Sequence, residues 1–131
     1  LNIVSSLGLS LYKFGKITSI PKWTSNFKPI SFLDIIEENQ KINAHTLILV
    51  DIGLNFESAI DQLIEAIKEK KFKIDNLIVC VMLGTKNSKI YYGNLAGLKK
   101  ISKKIEAPFC FIIPGKMHFM ERGVLKNFKK N

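Results

Sequence analysis

The chain has 131 residues, of which 47% are hydrophobic and 24% charged; this is the composition of one folded domain and excludes a disordered chain. No apolar run approaches the roughly 18 residues that a membrane-spanning helix needs. Twenty basic residues against eleven acidic ones give a net charge of +9, which attracts anionic partners, but Arg122 is the only arginine. Nucleic-acid binders read phosphates and bases largely through arginine, so a lysine-coated surface that only keeps the protein soluble is favoured over nucleic-acid binding.

The first part of the chain predicts a strand, a loop and a helix. Residues 16–20 (KITSI) indicate a short strand that Pro21 ends, and a polar loop then runs to Pro29. Ser31 is predicted to cap the following helix. The apolar face of that helix carries Phe32, Ile35 and Ile36.

The middle of the chain predicts a buried strand followed by a long helix. Residues 45–52 (HTLILVDI) form a nearly continuous apolar run, which is typical of a strand covered on both faces. Asn55 is predicted to cap the next helix. Its apolar positions recur at helical spacing: Phe56, Ala59, Ile60, Leu63, Ile64 and Ile67.

The last part predicts three more strands and two helices. Residues 77–83 (LIVCVML) indicate a second buried strand, residues 89–93 a shorter one, and residues 109–113 (FCFII) a third apolar strand. One helix has Leu95, Leu98, Ile101 and Ile105 on its face, and a final helix has Met117, Met120, Val124 and Phe128. The pattern predicts an α/β layer structure with a mainly parallel or mixed sheet.

The usual catalytic and metal-binding patterns are missing from the sequence. Cys80 and Cys110 lie far apart in predicted buried strands, so packed core thiols are expected, and two cysteines favour a reducing, cytoplasmic setting. The two histidines have no ligand partners at zinc-site spacing, and no Gly-rich phosphate loop occurs. No metal site is expected, and no catalytic residue is identified.

Five stretches of the sequence follow one another in a recognisable order. They are residues 11–15 (LYKFG, with LGL just ahead), 29–39 (PISFLDIIEEN), 45–52 (HTLILVDI), 84–87 (GTKN) and 108–118 (PFCFIIPGKMH). In order and separation they resemble the motifs of the diphthine synthase family, and the resemblance covers essentially the whole chain.

The resemblance implies an S-adenosylmethionine-dependent methyltransferase with the tetrapyrrole methylase fold, in which the cofactor lies between two α/β domains. Such enzymes methylate the amino group of a modified histidine on translation elongation factor 2, as homodimers in the archaeal or eukaryotic cytoplasm. Residues 1–131 match the C-terminal domain only, which the resemblance implies to be an α/β domain with a mixed sheet of about five strands flanked by helices. The N-terminal domain is expected to be absent from the chain, and the chain is expected to need it for activity. The apolar residues of the opening segment, residues 1–11, are expected to contact that domain or a second subunit.

The resemblance also implies three cofactor-binding residues: Val50, Leu83 and Phe109. Each lies where a predicted strand meets a loop, the usual place for ligands in open α/β sheets, and apolar side chains suit an adenine ring. Val50 and Leu83 are equally well explained as plain core residues. Met82 stands where the family has an arginine, and Phe109 where it has a histidine.

Several assignments stay open at this point. Asp51 either orients a ribose or caps a loop, and Lys116 and His118 either form a polar rim or belong to a solvated loop. The alternative to an enzyme is a non-catalytic basic module that binds RNA or the translation machinery through its lysines. A third interpretation is a structural remnant that only dimerises. Sequence-specific nucleic-acid binding and membrane association are not expected.

Overall fold

Apolar runs separated by proline, glycine and polar residues form five strands and three helices in residues 14–115, the part of the chain that the computed structural model describes. The strands are β1 (Thr18–Ile20), β2 (Thr46–Val50), β3 (Leu77–Val81), β4 (Lys89–Gly93) and β5 (Phe109–Ile113). The helices are α1 (Phe32–Lys41), α2 (Phe56–Lys70) and α3 (Leu95–Lys100), and a 3-10 turn (Ser102–Lys104) follows α3.

The five strands form one mixed sheet in the order β1-β2-β5-β3-β4. β1 is parallel to β2, whereas β5 is antiparallel to both β2 and β3, and β3 is antiparallel to β4. The strands β1, β2 and β3 therefore end at the same end of the sheet. The predicted α/β fold with a mixed sheet of about five strands is confirmed.

One face of the sheet carries the main hydrophobic core, because alternate residues of each strand point to the same side. The strand residues of this core are Ile20, Ile48, Leu77, Val79, Val81, Phe111 and Ile113. The helices pack on them through Leu33, Ile36, Phe56, Ala59, Ile60, Leu63, Ala66 and Leu98. Within residues 14–115, all three helices thus cover the same face.

The opposite face of the sheet holds a smaller cluster. Its buried members are Ile78, Cys80, Tyr92 and Ile112. All five residues of β3 are buried, which confirms the prediction of a strand covered on both faces. For β2 that prediction is wrong, since Leu49 is 49% exposed and Ile52, just beyond the strand, is 98% exposed.

The two predicted helix caps have different outcomes. Asn55 caps α2 as expected, its side-chain oxygen accepting a hydrogen bond from the Ser58 N–H at 2.8 Å. Ser31 precedes α1, but its side chain makes no cap hydrogen bond. The reason is its helical backbone (φ −62°, ψ −20°), because a capping side chain reaches the first turn from an extended residue.

Four predicted elements are shorter than the apolar pattern indicates, and two of them are the strands predicted at 16–20 and 45–52. The strand at 77–83 ends at Val81 because Met82 adopts φ 50°, outside the extended region. The third helix ends at Lys100, and Ile105 is extended (φ −105°, ψ 117°) although its side chain still reaches the core. The helical spacing of Ile105 therefore indicates a buried side chain and not a continuation of the helix.

Several predictions concern residues outside 14–115. They are the opening segment (residues 1–11), the rim residues Lys116 and His118, and the final helix with Met117, Met120, Val124 and Phe128. Within the described range, no helix combines the length and the apolar character needed to cross a bilayer.

Candidate functional site

The three residues predicted to bind the cofactor lie at one end of the sheet. Leu49 is paired with Cys110, so Val50 and Phe109 are the next residues along β2 and β5. Phe109 is in turn paired with Val81 of β3, and Leu83 is the second residue after Val81. Strands that are distant in sequence thus bring Val50, Leu83 and Phe109 together where β2 and β3 end and β5 begins. Open α/β sheets bind ligands beyond such strand ends.

Val50 and Phe109 lie mostly beneath the surface of this site and support it from the core. Both are half-buried and pack against the main core. Phe109 lies edge-to-face against Phe56, with ring centroids 5.6 Å apart and planes at 79°, and its ring is 5.7 Å from that of Phe111. Edge-to-face packing of this kind fixes ring orientation. Phe109 therefore offers a rigid apolar support and no hydrogen-bonding group.

Leu83 is the exposed member of the set. It lies in the turn between β3 and β4, and 39% of its surface is exposed. Among residues 14–115, the backbone groups of Leu83 and Gly84 have no hydrogen-bond partner. An apolar side chain beside unpaired N–H and C=O groups fits an adenine ring, which has an apolar face and a hydrogen-bonding edge. The residues present are thus compatible with S-adenosylmethionine.

The turn that carries Leu83 is held by hydrogen bonds on both sides. The Met82 N–H donates to the Pro108 carbonyl at 2.8 Å, which ties the turn to the start of β5. The Thr85 hydroxyl donates to the Met82 carbonyl at 2.8 Å and accepts from the Asn87 N–H at 3.1 Å. The Met82 side chain packs against the core. Met82, which stands where the resemblance implies an arginine, therefore makes an apolar contact.

Asp51 caps a loop. Its carboxylate accepts a hydrogen bond from the Lys22 N–H at 3.2 Å, and its own N–H donates to the Ile20 carbonyl at 3.1 Å. These two bonds join the ends of β1 and β2. Of the two roles open for Asp51 from the sequence, loop capping is the one that these contacts support.

Several lysines lie near the same end of the sheet. Residues 14–75 contain eight basic and nine acidic residues, whereas residues 76–115 contain six basic residues and one acidic residue. A cavity of about 290 Å³ beside Val81 and Met82 is lined by Lys89, Lys104, Asn87 and Glu106, and Lys86 precedes Asn87 in the turn.

We call Lys86, Lys89 and Lys104 the lysine cluster. None of the three forms an ion pair with a carboxylate of residues 14–115. Other lysines do have carboxylate partners: Lys16 with Glu38, Lys28 with Glu65, Lys70 with Asp34, Lys73 with Asp75, and Lys99 with Asp61. The lysine cluster therefore has charge available for an anionic partner.

The opposite end of the sheet holds a polar network that the sequence pattern does not indicate. The buried Asn39 side chain accepts a hydrogen bond from the Lys16 N–H (3.0 Å) and donates to the Lys16 carbonyl (2.8 Å) and the Thr46 hydroxyl (2.9 Å). We call this the Asn39 network. A Cβ on Gly15 would overlap the Asn39 amide. The only sequence signal is that Gly15 and Asn39 lie in the recognised motifs.

His45 joins two further motif residues at this end. Its carbonyl accepts from the Gly15 N–H at 2.9 Å, and its ring nitrogen Nδ1 accepts from the Gly115 N–H at 3.0 Å. A Cβ on Gly115 would lie 2.6 Å from the Ala44 carbonyl oxygen, so the chain approaches too closely for a side chain there. The motif residues Gly15, Asn39, His45 and Gly115 thus hold the fold together, far from Val50, Leu83 and Phe109.

No metal centre is formed in residues 14–115: no group of three or more His, Cys, Asp or Glu side chains is placed to bind an ion. His45 is instead fully buried and lies edge-to-face with Phe14, with ring centroids 5.2 Å apart.

Comparison with known proteins identifies close similarity to one family. No protein-family model matches the chain. The diphthine synthase of Methanococcus maripaludis is 37% identical over 135 residues, covering 95% of this chain and 52% of that protein. The diphthine synthase of Methanocaldococcus jannaschii is 37% identical over 141 residues, covering 98% of this chain and 54% of that protein.

Solved structures show similarity to the same family. A crystal structure from Entamoeba histolytica, described as a diphthine synthase, has a TM-score of 0.88 and 28% identity over 99% of this chain and 56% of that one. A crystal structure of another diphthine synthase, at 24% identity, shares the fold with a TM-score of 0.80.

The sheet, its helical layer and the strand-end site therefore define an α/β domain of the kind found in diphthine synthase structures. The chain is a homologue of the diphthine synthases, and the resemblance in its motifs is confirmed. It spans about half the length of the curated relatives it matches.

Proposed function

We propose that the chain is the C-terminal half of an S-adenosylmethionine-dependent methyltransferase of the diphthine synthase type. Its proposed reaction is methylation of the amino group of the modified histidine on translation elongation factor 2. The observation that carries this proposal is the homology to diphthine synthases over 95–98% of the chain. The enzyme is proposed to act in the cytoplasm, as a homodimer in which each copy also includes the complementary half.

The proposed roles of the chain's residues are binding and positioning. Leu83 contacts the adenine face while its backbone groups pair with the ring edge, and Val50 and Phe109 support that surface from the core. S-adenosylmethionine, when bound, supplies an electrophilic methyl group on a sulfonium sulfur. Holding an amine in line with such a carbon is worth roughly 7–11 kcal/mol, provided that both walls of the site are present. The complementary half is needed to complete that geometry.

The first test is cofactor binding by the chain alone. Because one wall of the site is present, we expect S-adenosylmethionine to bind at least about tenfold more weakly than to the chain joined to the complementary half, a difference of roughly 1.4 kcal/mol. Isothermal titration calorimetry measures both affinities. Equally tight binding by the 131 residues alone would contradict the two-wall site.

A matched pair of variants locates the cofactor surface within the assembled enzyme. Leu83→Asp places a negative charge on the proposed adenine contact. Ile42→Asp makes the same kind of change on an apolar side chain at the opposite end of the sheet, where Ile42 is 70% exposed and Leu83 is 39% exposed. We expect the first substitution to weaken cofactor binding and the second to leave it unchanged. The same loss in both variants would indicate a general effect on folding.

The lysine cluster supports a protein substrate with acidic groups. Lysine is a point charge without the planar fork of arginine. No arginine lies in residues 14–115 to add bidentate phosphate contacts. We infer that Lys86, Lys89 and Lys104 face carboxylates on the acceptor protein and steer it to the adjacent strand ends.

Neutralising the cluster tests this role. The triple substitution of Lys86, Lys89 and Lys104 by Gln is expected to lower kcat/KM for the acceptor roughly tenfold at low salt, because charges at the edge of an interface act mainly on association. Since salt screens exposed charges, the difference should shrink as ionic strength rises. Methylation rates measured over a salt series provide the result.

The control carries the same change in charge at the other end of the sheet. Lys41, Lys68 and Lys71 lie at the ends of α1 and α2, which precede the starts of β2 and β3. Their replacement by Gln should leave kcat/KM near the unmodified value. If both triple variants lose activity equally, net charge and not the lysine cluster steers the acceptor.

A further inference from the structure

Two cysteines that are far apart in sequence are direct neighbours across two strands. Cys80 of β3 is paired with Cys110 of β5 in antiparallel register, and both side chains point to the smaller-cluster face. Directly paired residues of antiparallel strands have Cα atoms about 4.5 or 5.5 Å apart. A disulfide accepts Cα separations of about 4.4–6.8 Å. The register therefore places the two Cα atoms within the range that a disulfide accepts.

The two thiols have different surroundings. Cys80 is fully buried, whereas Cys110 is half-buried and lies beside Leu49, which is directly opposite it in β2 and half exposed. A hydrogen bond from the Cys80 thiol lowers the pKa of Cys110. The same interaction, together with burial, raises the pKa of Cys80. Cys110 is thus the thiol that ionises first and can be reached from solvent.

We propose that Cys80 and Cys110 form an oxidation site, which a small-molecule disulfide such as oxidised glutathione converts into an intramolecular disulfide. The Cys110 thiolate attacks one sulfur of the oxidant, forming a mixed disulfide and releasing one glutathione thiolate. Cys80 then loses its proton, and its sulfur attacks the Cys110 sulfur and releases the second glutathione thiolate. Two protein thiols lose two electrons, and the oxidant is reduced to two thiols.

The position of the pair gives the oxidation a structural consequence. Cys110 follows Phe109 in β5, and Cys80 precedes Val81, two residues before the turn with Leu83. A bond between them ties β3 covalently to β5 one residue from the strand ends. Oxidation is therefore expected to make the spacing of Leu83 and Phe109 less variable. This inference does not depend on the proposed methyltransferase activity.

The experiment uses the 131-residue chain, oxidised glutathione and mass spectrometry after alkylation of remaining thiols in denaturant. We expect loss of both alkylatable thiols, loss of two hydrogens in mass, and a single peptide pair joining Cys80 to Cys110. Reduction should restore both thiols. Two thiols that still alkylate fully, or cross-links formed only between separate chains, would overturn the proposal.

Two variants assign the order of attack. With Cys80→Ala, Cys110 should gain one glutathione and stop at the mixed disulfide, because no second thiol is present to displace it. With Cys110→Ala, the buried Cys80 should remain free while the protein is folded. Circular dichroism verifies that each variant is folded under the conditions of the reaction. Glutathione on Cys80 in the folded Cys110→Ala variant would contradict the assignment of Cys110 as the attacking thiol.

Discussion

Replacing Phe56 with alanine is expected to lower the free energy of unfolding by about 3–5 kcal/mol, the cost of removing a large aromatic ring from a packed core. Phe56 is 1% exposed at the start of α2, and its ring lies edge-to-face with both Phe109 and Phe111, at centroid distances of 5.6 and 5.8 Å. Its loss leaves a cavity under the end of the sheet where Phe109 lies. Urea unfolding followed by circular dichroism measures the change.

The control for Phe56 is another phenylalanine on the surface. Phe27 lies in the loop before α1 and is 63% exposed. Since most surface substitutions change stability by no more than about 0.5 kcal/mol, Phe27→Ala should have little effect. Similar losses in the two variants would contradict the assignment of Phe56 to the core.

Asn39→Ala is expected to be nearly as destabilising, by roughly 3 kcal/mol, although it removes only a small polar side chain. The substitution leaves the Lys16 N–H, the Lys16 carbonyl and the Thr46 hydroxyl without the partner they have in the Asn39 network. Leaving one buried polar group unpaired costs about 1–3 kcal/mol, and partial access of water to Lys16 reduces the sum. The same unfolding measurement applies.

Asn87→Ala provides the matched control for the Asn39 network. Asn87 is exposed in the β3–β4 turn, and only its backbone N–H takes part in the hydrogen bond to Thr85. Its truncation should therefore change stability by a few tenths of a kcal/mol at most. If Asn39→Ala were equally mild, water or backbone shifts would be satisfying the Asn39 network and its structural role would be disproved.

Elements governed by local sequence were predictable. The bounds of β4 and β5 and the Asn55 cap of α2 follow from apolar runs, turn residues and a capping side chain within a few positions. The missing cap at Ser31 and the early end of α3 were not predictable from the sequence. Tertiary packing sets the backbone angles, and these angles decide whether a serine caps a helix and whether an apolar residue extends one. The exposed side of β2 was also missed, since an unbroken apolar run does not reveal which face remains in solvent.

The site was predictable only as far as strand ends could be recognised. Family resemblance indicated Val50, Leu83 and Phe109, and antiparallel register then brought them to one end of the sheet. That β5 lies between β2 and β3 is a long-range property that local patterns do not encode. For the same reason, the sequence predicts Cys80 and Cys110 only as separate core thiols. The hydrogen-bond partners of Asn39 likewise could not be identified from its position in α1.

The central position of β5 also constrains how the chain folds while it is being synthesised. The pairs β1–β2 and β3–β4 can form as soon as each is made, but both then present an unpaired strand edge toward the place that β5 will occupy. β5 is the last of the five strands to leave the ribosome. Until then, the edges of β2 and β3 that β5 will cover stay open and can pair with another chain. Completion of the sheet therefore waits for a long-range insertion, the kind of step that makes folding slow.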